Sequence, residues 1–368
     1  MTDVSSSKLP VTVLAGFLGS GKTTLLRSLL ADSVFSDSAV IVNELGKVAI
    51  DHDLVSFSSD STVVMPGGCI CCTIREDIEK TLRDLFEARD AGRIPPFRRL
   101  FIETTGIADP QPLIFTLLSS PLAATRLAHP RVITVVDGIL GGQTLRHHTE
   151  ATAQVAAADA IVVSKQDMGW DKALPQTLFD LNPWATIQSV NLHSADLDAG
   201  HLLDSAERSH ETLLSDKIMA LPSGHQHSSA HSDVRSLCLI LEQQLDWTAF
   251  GIWMTMLLHR HGQNVLRMKA ILDIEDAVGP VVFHSAQHLV HPPQHLREWP
   301  ASGRRSRIVF VIRGLDPNVI ERSLKIFNFT VSIKNHKSTG GKYRLAGAGG
   351  AIAGRPVRRA TAPRWIKG

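Results

Sequence analysis

The stretch from Gly16 to Thr23, Gly-Phe-Leu-Gly-Ser-Gly-Lys-Thr, limits the possible folds of this chain more than any other stretch. A glycine, four free positions and Gly-Lys-Thr form the pattern of a phosphate-binding loop. The apolar run at 11–15 predicts a strand before the loop, and the apolar spacing over 24–30 predicts a helix after it. Backbone N–H groups of the loop and a helix N-terminus would then converge where a triphosphate can bind. A glycine-rich turn that binds nothing is the alternative, and it leaves both flanking elements unexplained.

Two side chains of this loop have predicted chemical roles. We expect Lys22 to reach the β- and γ-phosphates, which makes it a candidate catalytic residue, and we expect the Thr23 hydroxyl to ligate Mg²⁺. The candidate nucleotide-binding residues of the loop are Gly16, Gly19, Ser20, Gly21, Lys22, Thr23 and Thr24.

The first half of the chain alternates short apolar runs with helical patterns. Strands are predicted at 11–15, 39–43, 62–65, 100–103, 132–136 and 160–163, and helices at 74–91, 111–118 and 150–157. Runs that are apolar without alternation are typical of strands buried on both faces, so the predicted fold is α/β, with a mostly parallel sheet covered by helices. Ligands are expected at the carboxyl ends of such strands. The residues at or just after these ends are Gly16, Asn43, Glu44, Cys69, Glu103, Asp137 and Lys165.

The second half predicts a smaller α+β unit. Strands are expected at 234–241, 265–271, 281–284 and 308–312, with a closing helix at 317–327. Asp246 can cap a further helix, whose apolar face would hold Trp247, Phe250, Met254, Leu257 and Leu258. The predicted divisions are a P-loop domain at 9–191, a linker at 192–233, the second domain at 234–329 and a disordered basic tail at 330–368. The tail has nine Lys and Arg after residue 333 and no Asp or Glu.

Composition narrows the functional class. The 368 residues suffice for two domains, and 43% hydrophobic residues can build a large core. No run approaches the ~18 apolar residues of a membrane span, and residues 1–10 are polar, so we predict a cytoplasmic protein without a membrane partner.

Three of the four cysteines lie in Cys69-Ile70-Cys71-Cys72, a layout that favours reduced thiols over disulfides. Cys238 lies in an apolar run and is expected in the core.

The segment Ser164-Lys165-Gln166-Asp167 predicts which base is bound. In GTP-binding P-loop proteins an Asn-Lys-x-Asp segment reads guanine, because its aspartate accepts hydrogen bonds from N1–H and the exocyclic amine. Asp167 is therefore the predicted guanine reader, and Lys165 is expected along the base. Ser164 replaces the usual Asn, which predicts a loop that is held less firmly. The pattern favours GTP over ATP.

The segment 100–106 has the apolar run, acid and glycine of a γ-phosphate sensor. Glu103 is predicted to hold Mg²⁺ through water and is the second candidate catalytic residue, while the Gly106 N–H can face the γ-phosphate. Ile107, and no glutamine, follows Gly106. Without a residue to orient the attacking water, intrinsic hydrolysis is predicted to be slow.

Cys69, Cys71 and Cys72 lie between a predicted strand and a predicted helix. Thiols near a helix N-terminus favour the thiolate, which binds soft metals such as zinc or cuprous copper. Glu44 is a candidate fourth ligand. The alternatives are inert buried cysteines and a peroxide-sensing pair. The sequence leaves the choice among zinc, cobalt and copper open.

These motifs together resemble the CobW-like GTPases, a family of zinc metallochaperones, proteins linked to cobalt loading for cobalamin synthesis, and nitrile hydratase activators. The resemblance covers nearly all of residues 9–329, and its most specific motif is the Cys-x-Cys-Cys. It implies a GTPase that takes Zn²⁺, or alternatively Co²⁺, on these cysteines and passes it to a client metalloprotein under nucleotide control. Lys47 and Ala49 depart from the family pattern of an acid and a glycine. The other segments that carry the resemblance are Asn43-Glu44 with Gly46, 103–110, 164–167 and 306–310.

The histidines are less specific. His225, His227 and His231 could form an accessory zinc site in the linker, but a solvated linker is the simpler interpretation. His284, His288, His291 and His295 of the second domain could equally form a binding surface or cap polar groups.

Two other functional classes stay open. One is a nucleotide-dependent enzyme acting on a small molecule; the other is a nucleic-acid binder that uses the basic tail. Only Tyr343 and Trp365 accompany the charges of the tail, which argues against base stacking. The oligomeric state, homo-oligomers included, is left open.

Overall fold

The computed structural model describes residues 8–42, 63–66, 70–169, 171–191, 202–203, 227–228, 234–286, 289–290, 293–296, 298–299 and 303–336. Within these residues the chain forms two seven-stranded sheets with different strand directions. The predicted fold class, an α/β P-loop domain followed by a smaller α+β domain, is confirmed.

All strand pairs of the first sheet are parallel, and the strand order is β3-β2-β4-β1-β5-β6-β7. Six of the strands were predicted, and the edge strand β7 was not, because its short sequence is mostly polar or half-buried. The strands are β1 (Val11–Gly16), β2 (Ser38–Val42), β3 (Val63–Pro66), β4 (Arg99–Glu103), β5 (Arg131–Asp137), β6 (Ala160–Ser164) and β7 (Thr186–Ser189).

Helices cover both faces of this sheet. Leucines of the first helix pack against Leu14 and Phe101 on one face, and the second and third helices pack against Val13 and Ile102 on the other. The helices are α1 (Lys22–Ala31), α2 (Ile70–Asp90), α3 (Gln111–Ser119), α4 (Pro121–Arg126), α5 (Gly141–His147), α6 (Thr149–Ala157) and α7 (Leu174–Leu181). The predicted start of α2 at residue 74 was four residues late, so the backbone of Cys71 and Cys72 belongs to its first turn.

The second sheet is antiparallel in the order β12-β11-β10-β14-β9-β8, and β13 also pairs with β11. Its strands are β8 (His227–Ser228), β9 (Val234–Leu241), β10 (Val265–Leu272), β11 (Val281–Ala286), β12 (Leu289–Val290), β13 (Gln294–His295) and β14 (Ser306–Arg313). Helices α8 (Trp247–His261) and α9 (Pro317–His336) follow.

Helix α8 begins as predicted, because the Asp246 side chain accepts a hydrogen bond of 2.7 Å from the Ala249 N–H. Phe250 and Met254 are buried as expected, but Trp247 is 42% exposed, since it lies in the first turn at the rim of the core. Helix α9 continues to His336, past the predicted tail boundary at 329. Residues 337–368 lie outside the described part.

The two sheets share one apolar core in which α6 and α7 lie between them. Val155 of α6 and Leu178 of α7 belong to the same cluster as Cys238, Leu266 and Val309 of the second sheet. The buried position predicted for Cys238 is confirmed. No helix among the described residues is long and apolar enough to cross a membrane.

Candidate functional site

The loop between β1 and α1 surrounds the ammonium group of Lys22 with its own backbone carbonyls. Lys22 Nζ donates hydrogen bonds to the carbonyl oxygens of Gly16 at 2.8 Å and Phe17 at 3.1 Å. The residue is 8% exposed, and burial lowers the pKa of Lys22 while the nearby Glu103 carboxylate acts to raise it. A buried cation that is held mainly by backbone carbonyls is suited to meet an anion entering the loop.

Thr23 and Glu103 meet although they are far apart in sequence. The Thr23 hydroxyl donates a hydrogen bond of 2.7 Å to Glu103 Oε1. The fold brings them together because β1 and β4 are adjacent parallel strands, so the loops after both strands lie at the same edge. A hydroxyl and a carboxylate are the hard oxygen ligands that Mg²⁺ prefers, so these two residues fit the predicted metal.

The loop after β4 lies directly against the phosphate-binding loop. A Cβ atom on Gly106 would lie 2.6 Å from the Leu18 nitrogen, so a larger residue cannot occupy this position without moving the backbone. The Thr104 N–H donates to the Leu14 carbonyl at 2.9 Å and fixes the start of the loop. The two predicted phosphate-contacting segments are therefore neighbours. Ile107 is exposed.

The segment after β6 is tied to the same loop. Ser164 is fully buried, and its hydroxyl donates a hydrogen bond of 2.6 Å to the Ser20 carbonyl. A serine at this position therefore links the predicted base-reading segment to the phosphate-binding loop by a direct hydrogen bond. Asp167 is exposed in a 3-10 turn, where a ligand can approach it.

Asp137 at the end of β5 is a site residue to which sequence reasoning assigned no role. Lys165 Nζ donates to Asp137 Oδ2 at 2.7 Å, and Lys165 has a left-handed backbone with φ 58°. Burial acts to raise the pKa of Asp137, but hydrogen bonds from Lys165 and from the N–H groups of Leu140 and Ile139 hold it below its usual range. The sequence feature that could have indicated a role for Asp137 is its position at the end of a predicted strand. Asp137 holds Lys165 in place in this structure.

A cavity of about 170 Å³ lies beneath the phosphate-binding loop. Its lining includes Phe17, Ser20, Leu140 and Gln154, from the loop and from the helices after β5. The Phe17 ring packs on His148 at the N-terminus of α6, with 4.4 Å between ring centroids. The sequence predicted neither the cavity nor this contact.

The predicted soft-metal ligands are not tested by the described residues. Glu44 and Cys69 lie outside them, as do the side chains of Cys71 and Cys72. Of the linker histidines, His227 lies in β8 and its side chain is outside the description, while His225 and His231 are outside entirely. Among the side chains that are described, no three of the His, Cys, Asp and Glu type are grouped for a metal ion. His284 is buried and His295 exposed; His288 and His291 lie outside the described residues.

The interface between the two sheets contains a second charged cluster that the sequence did not predict. Arg267 of β10 donates to Asp159, which directly precedes β6, and to the Ala158 carbonyl at 2.9 Å, while Lys269 Nζ lies 3.6 Å from Asp159 Oδ1. Burial acts to raise the pKa of Asp159, but Arg267, Lys269 and Arg131 together hold it far below its usual range. Burial and the charge of Arg267 lower the pKa of Lys269 to about 7. The sequence feature that could have indicated this cluster is the pair of cations, Arg267 and Lys269, in the otherwise apolar strand β10.

Two family models match the chain. The model described as CobW/HypB/UreG, nucleotide-binding domain, matches residues 10–186, and that of the cobalamin synthesis protein cobW C-terminal domain matches residues 234–327.

Relatives with established names are similar over most or part of the chain. The zinc chaperone YjiA of Escherichia coli (strain K12) is 32% identical over 305 residues, which are 82% of this chain and 93% of YjiA. The zinc-regulated GTPase metalloprotein activator 1 of Schizosaccharomyces pombe is 31% identical over 212 residues, 55% of this chain and 50% of that protein. The crystal structure of Zn(II)-bound YjiA GTPase from E. coli superposes with a TM-score of 0.71 at 28% identity, covering 87% of this chain and 99% of YjiA.

Proposed function

Because the chain belongs to the CobW family, with the nucleotide-binding domain and the C-terminal domain of that family in order, we propose that it is a GTP-hydrolysing zinc chaperone. It binds Zn²⁺ at Cys69, Cys71 and Cys72 and delivers the ion to a client metalloprotein under nucleotide control. The contact of 2.7 Å between Thr23 and Glu103, beside the buried Lys22, is the observation that carries the nucleotide half of this proposal.

Each residue of the loop has a defined task in GTP binding. Lys22 leaves its two backbone carbonyls and meets the β- and γ-phosphates, and the N–H groups of the glycine loop bind the same oxygens. Thr23 holds Mg²⁺ directly and Glu103 holds it through water; the bound ion offsets the negative charge of the phosphates. The other nucleotide contacts proposed are Gly16, Gly19, Ser20, Gly21, Thr24 and Gly106.

Guanine specificity comes from the segment after β6. The Asp167 carboxylate is exposed and accepts two hydrogen bonds from guanine, while Lys165 lies along the base and Ser164 fixes the segment to the loop. Ile107 is exposed where a water-orienting side chain would be needed, so intrinsic hydrolysis is slow.

The zinc half of the proposal rests on the cysteine motif and on the names of the relatives. The backbone of Cys71 and Cys72 belongs to the first turn of α2, and helix N-termini favour the thiolate that zinc requires. Glu44 completes the site, and the linker residues His225, His227 and His231 are candidates for an accessory one. A reduced thiol cluster of this kind is suited to the cytoplasm.

The test is a zinc titration of the untagged protein in the presence of a non-hydrolysable GTP analogue or of GDP. Zinc affinity should be at least several-fold higher with the GTP analogue than with GDP. Because binding couplings are reciprocal, zinc should raise the affinity for the analogue, relative to GDP, by the same factor. Such couplings typically correspond to ~1 to 3 kcal/mol. A parallel cobalt titration decides between zinc and the alternative cargo, cobalt.

The cysteine variants provide the control. Cys71→Ala and Cys72→Ala should lose tight zinc binding yet keep GTP, whereas Cys238→Ala should keep both, because Cys238 is buried in the shared core. Equal zinc affinity in the GTP and GDP states would contradict nucleotide control of the metal. It would leave a GTPase with an unrelated cysteine cluster.

A further inference from the structure

Gln154 is a fully buried polar side chain of α6, whose other buried residues are alanines, Val155 and Thr152. Its amide nitrogen donates hydrogen bonds to the Gly106 carbonyl at 3.1 Å and to the Ala108 carbonyl at 2.9 Å. Both partners are carbonyl oxygens, which only accept, so the nitrogen end of the amide must face them. One side chain therefore holds two backbone groups of the loop after β4.

The same loop touches the phosphate-binding loop on its other side. Gly106 lies so close to Leu18 that an added Cβ would be 2.6 Å from the Leu18 nitrogen. Two residues thus contact the segment 106–108: Leu18 lies against Gly106, and Gln154 holds the carbonyls of Gly106 and Ala108.

Helix α6 is a firm support, because contacts along its length fix it. Thr134 of β5 donates to the Gln154 carbonyl at 2.7 Å. Arg313 of the second domain donates to the Thr149 carbonyl at 3.2 Å, and Arg267 donates to the Ala158 carbonyl at 2.9 Å. The second domain therefore contacts both ends of the helix that carries Gln154.

The surroundings of Gln154 give the loop room to move if this support is removed. Gln154 lines the cavity of about 170 Å³ beneath the phosphate-binding loop. Its Oε1 atom is buried and has no hydrogen-bond partner among the described residues. An apolar residue of similar size would fill the same space but would leave the Gly106 and Ala108 carbonyls without this donor, so packing alone does not explain a glutamine at this position.

We propose that Gln154 is a positioning residue, which holds the segment 106–108 in the conformation that receives the γ-phosphate and so sets the preference for GTP over GDP. The inference rests on the proposed GTP-binding function. Because two hydrogen bonds from Gln154 already hold the segment, it loses little conformational entropy when the γ-phosphate binds. GDP has no γ-phosphate, so its affinity does not depend on Gln154.

The experiment compares Gln154→Met with Asn182→Leu. Methionine has a similar length and volume but donates no hydrogen bond, so it removes the two contacts to the loop. Asn182 is an equally buried amide that donates to the α6 carbonyls of Val155 at 2.7 Å and Ala156 at 3.4 Å, but it does not touch the loop. Affinities for a non-hydrolysable GTP analogue and for GDP are measured, together with amide hydrogen exchange over 104–110 without nucleotide.

For Gln154→Met we expect the affinity for the GTP analogue to fall about five- to twentyfold, within the usual range of couplings, while GDP affinity stays within about twofold. Exchange over 104–110 should be faster. Asn182→Leu should lower the melting temperature and change neither the affinity ratio nor this exchange. Gln154→Asn, which keeps an amide but cannot reach both carbonyls, should behave like Gln154→Met.

An unchanged affinity ratio in a folded Gln154 variant, or an equal loss for both nucleotides, overturns the proposal. A wild-type protein that binds neither nucleotide would instead reject the proposed function. Hydrogen exchange would then still show whether Gln154 supports the segment, so the two failures can be distinguished.

Discussion

The carboxyl edge of the first sheet and the interface between the two sheets both bury charged side chains, but the charges are balanced differently. At the carboxyl edge, Lys22 is held by backbone carbonyls and Glu103 by the Thr23 hydroxyl. At the interface, Asp159 is balanced by Arg267 and Lys269 of the other domain. The first arrangement can exchange its partners for a ligand, whereas the second is complete within the protein.

This difference predicts opposite effects of mutation. At the carboxyl edge, where the charged side chains are proposed to bind a ligand, removing one of these side chains should reduce ligand binding and leave the stability of the fold nearly unchanged. Where charges neutralise each other in the interior, removing one leaves its partners buried without compensation and should reduce stability. The four predictions below test this contrast in order of decreasing effect.

The largest effect is expected for Asp159→Ala. It leaves the Arg267 guanidinium and the Lys269 ammonium buried without their carboxylate, so the free energy of unfolding should fall by roughly 3 to 5 kcal/mol. Chemical denaturation measures this loss, and nucleotide affinity of the folded fraction should be unchanged. The matched control is Asp90→Ala, which breaks exposed ion pairs with Arg89 and Arg126 and should cost far less. Similar losses for both variants would show that the interface cluster does not hold the domains together.

Next is Lys22→Ala, whose effect should fall on binding. The ammonium is the predicted phosphate contact, so GTP affinity should drop by at least about a hundredfold, as measured by calorimetry. Stability should change little, because the lysine is held by backbone carbonyls and burial already disfavours its charge. Lys172→Ala, at an exposed lysine, is the control. Nucleotide affinity that survives in Lys22→Ala would reject the assignment of the phosphate-binding loop.

Asp167→Asn should change the identity of the bound nucleotide. The asparagine amide presents a donor where the aspartate carboxylate presents an acceptor. GTP affinity should therefore fall by roughly tenfold or more, while the affinity for xanthosine triphosphate rises. The exposed Asp276 of the second domain offers a control, Asp276→Asn, which should alter neither. If Asp167→Asn still prefers GTP, guanine is read by another residue.

The smallest effect is a pH dependence at the interface. The pKa of Lys269 is about 7 in the folded protein and near the usual lysine value of 10.5 when unfolded, so the unfolded chain holds the extra proton between these values. Stability should therefore rise with pH above about 7, by roughly 1 kcal/mol between pH 7 and pH 8. Two neighbours of this amine do not titrate in this window: the pKa of Asp159 is held far below its usual range, and burial lowers the pKa of His129 to about 4.

Lys269→Met should remove this rise, whereas Lys325→Met, at an exposed pair with Glu321, should keep it. A slope that persists in Lys269→Met would mean that another group titrates. Urea denaturation at several pH values gives the slopes for all three proteins.

Much of the fold was predictable because its signals are local. Apolar runs gave six of the seven parallel strands, and Asp246 marked the start of α8. The errors include the half-buried edge strand β7, the first turn of α2 and the last turns of α9 beyond residue 329, and the helices α4, α5 and α7 were not predicted. A helix end in a polar stretch depends on packing that the local sequence does not encode.

The candidate site divides in the same way. Lys22, Thr23 and Asp167 belong to contiguous motifs, so spacing alone identifies them. The contacts of Asp137 and Gln154, and that between Phe17 and His148, join segments that are far apart in the chain, and no sequence motif predicts them. Ser164 shows the limit most directly: no local pattern predicts the hydrogen bond from its hydroxyl to the Ser20 carbonyl, 144 positions away in the chain.

The sequence by itself determined the phosphate-binding loop, the parallel sheet behind it and the family, because each follows from residues within a few positions of one another. The tertiary structure alone decided what surrounds that loop. It placed Gln154 behind the Gly106 segment and set Asp159 against Arg267 across the domain interface. The physical reason is that burial and pairing of polar groups depend on distances in space. Chain spacing fixes such distances inside a helix or a turn, but between distant segments only the packing of the whole molecule does.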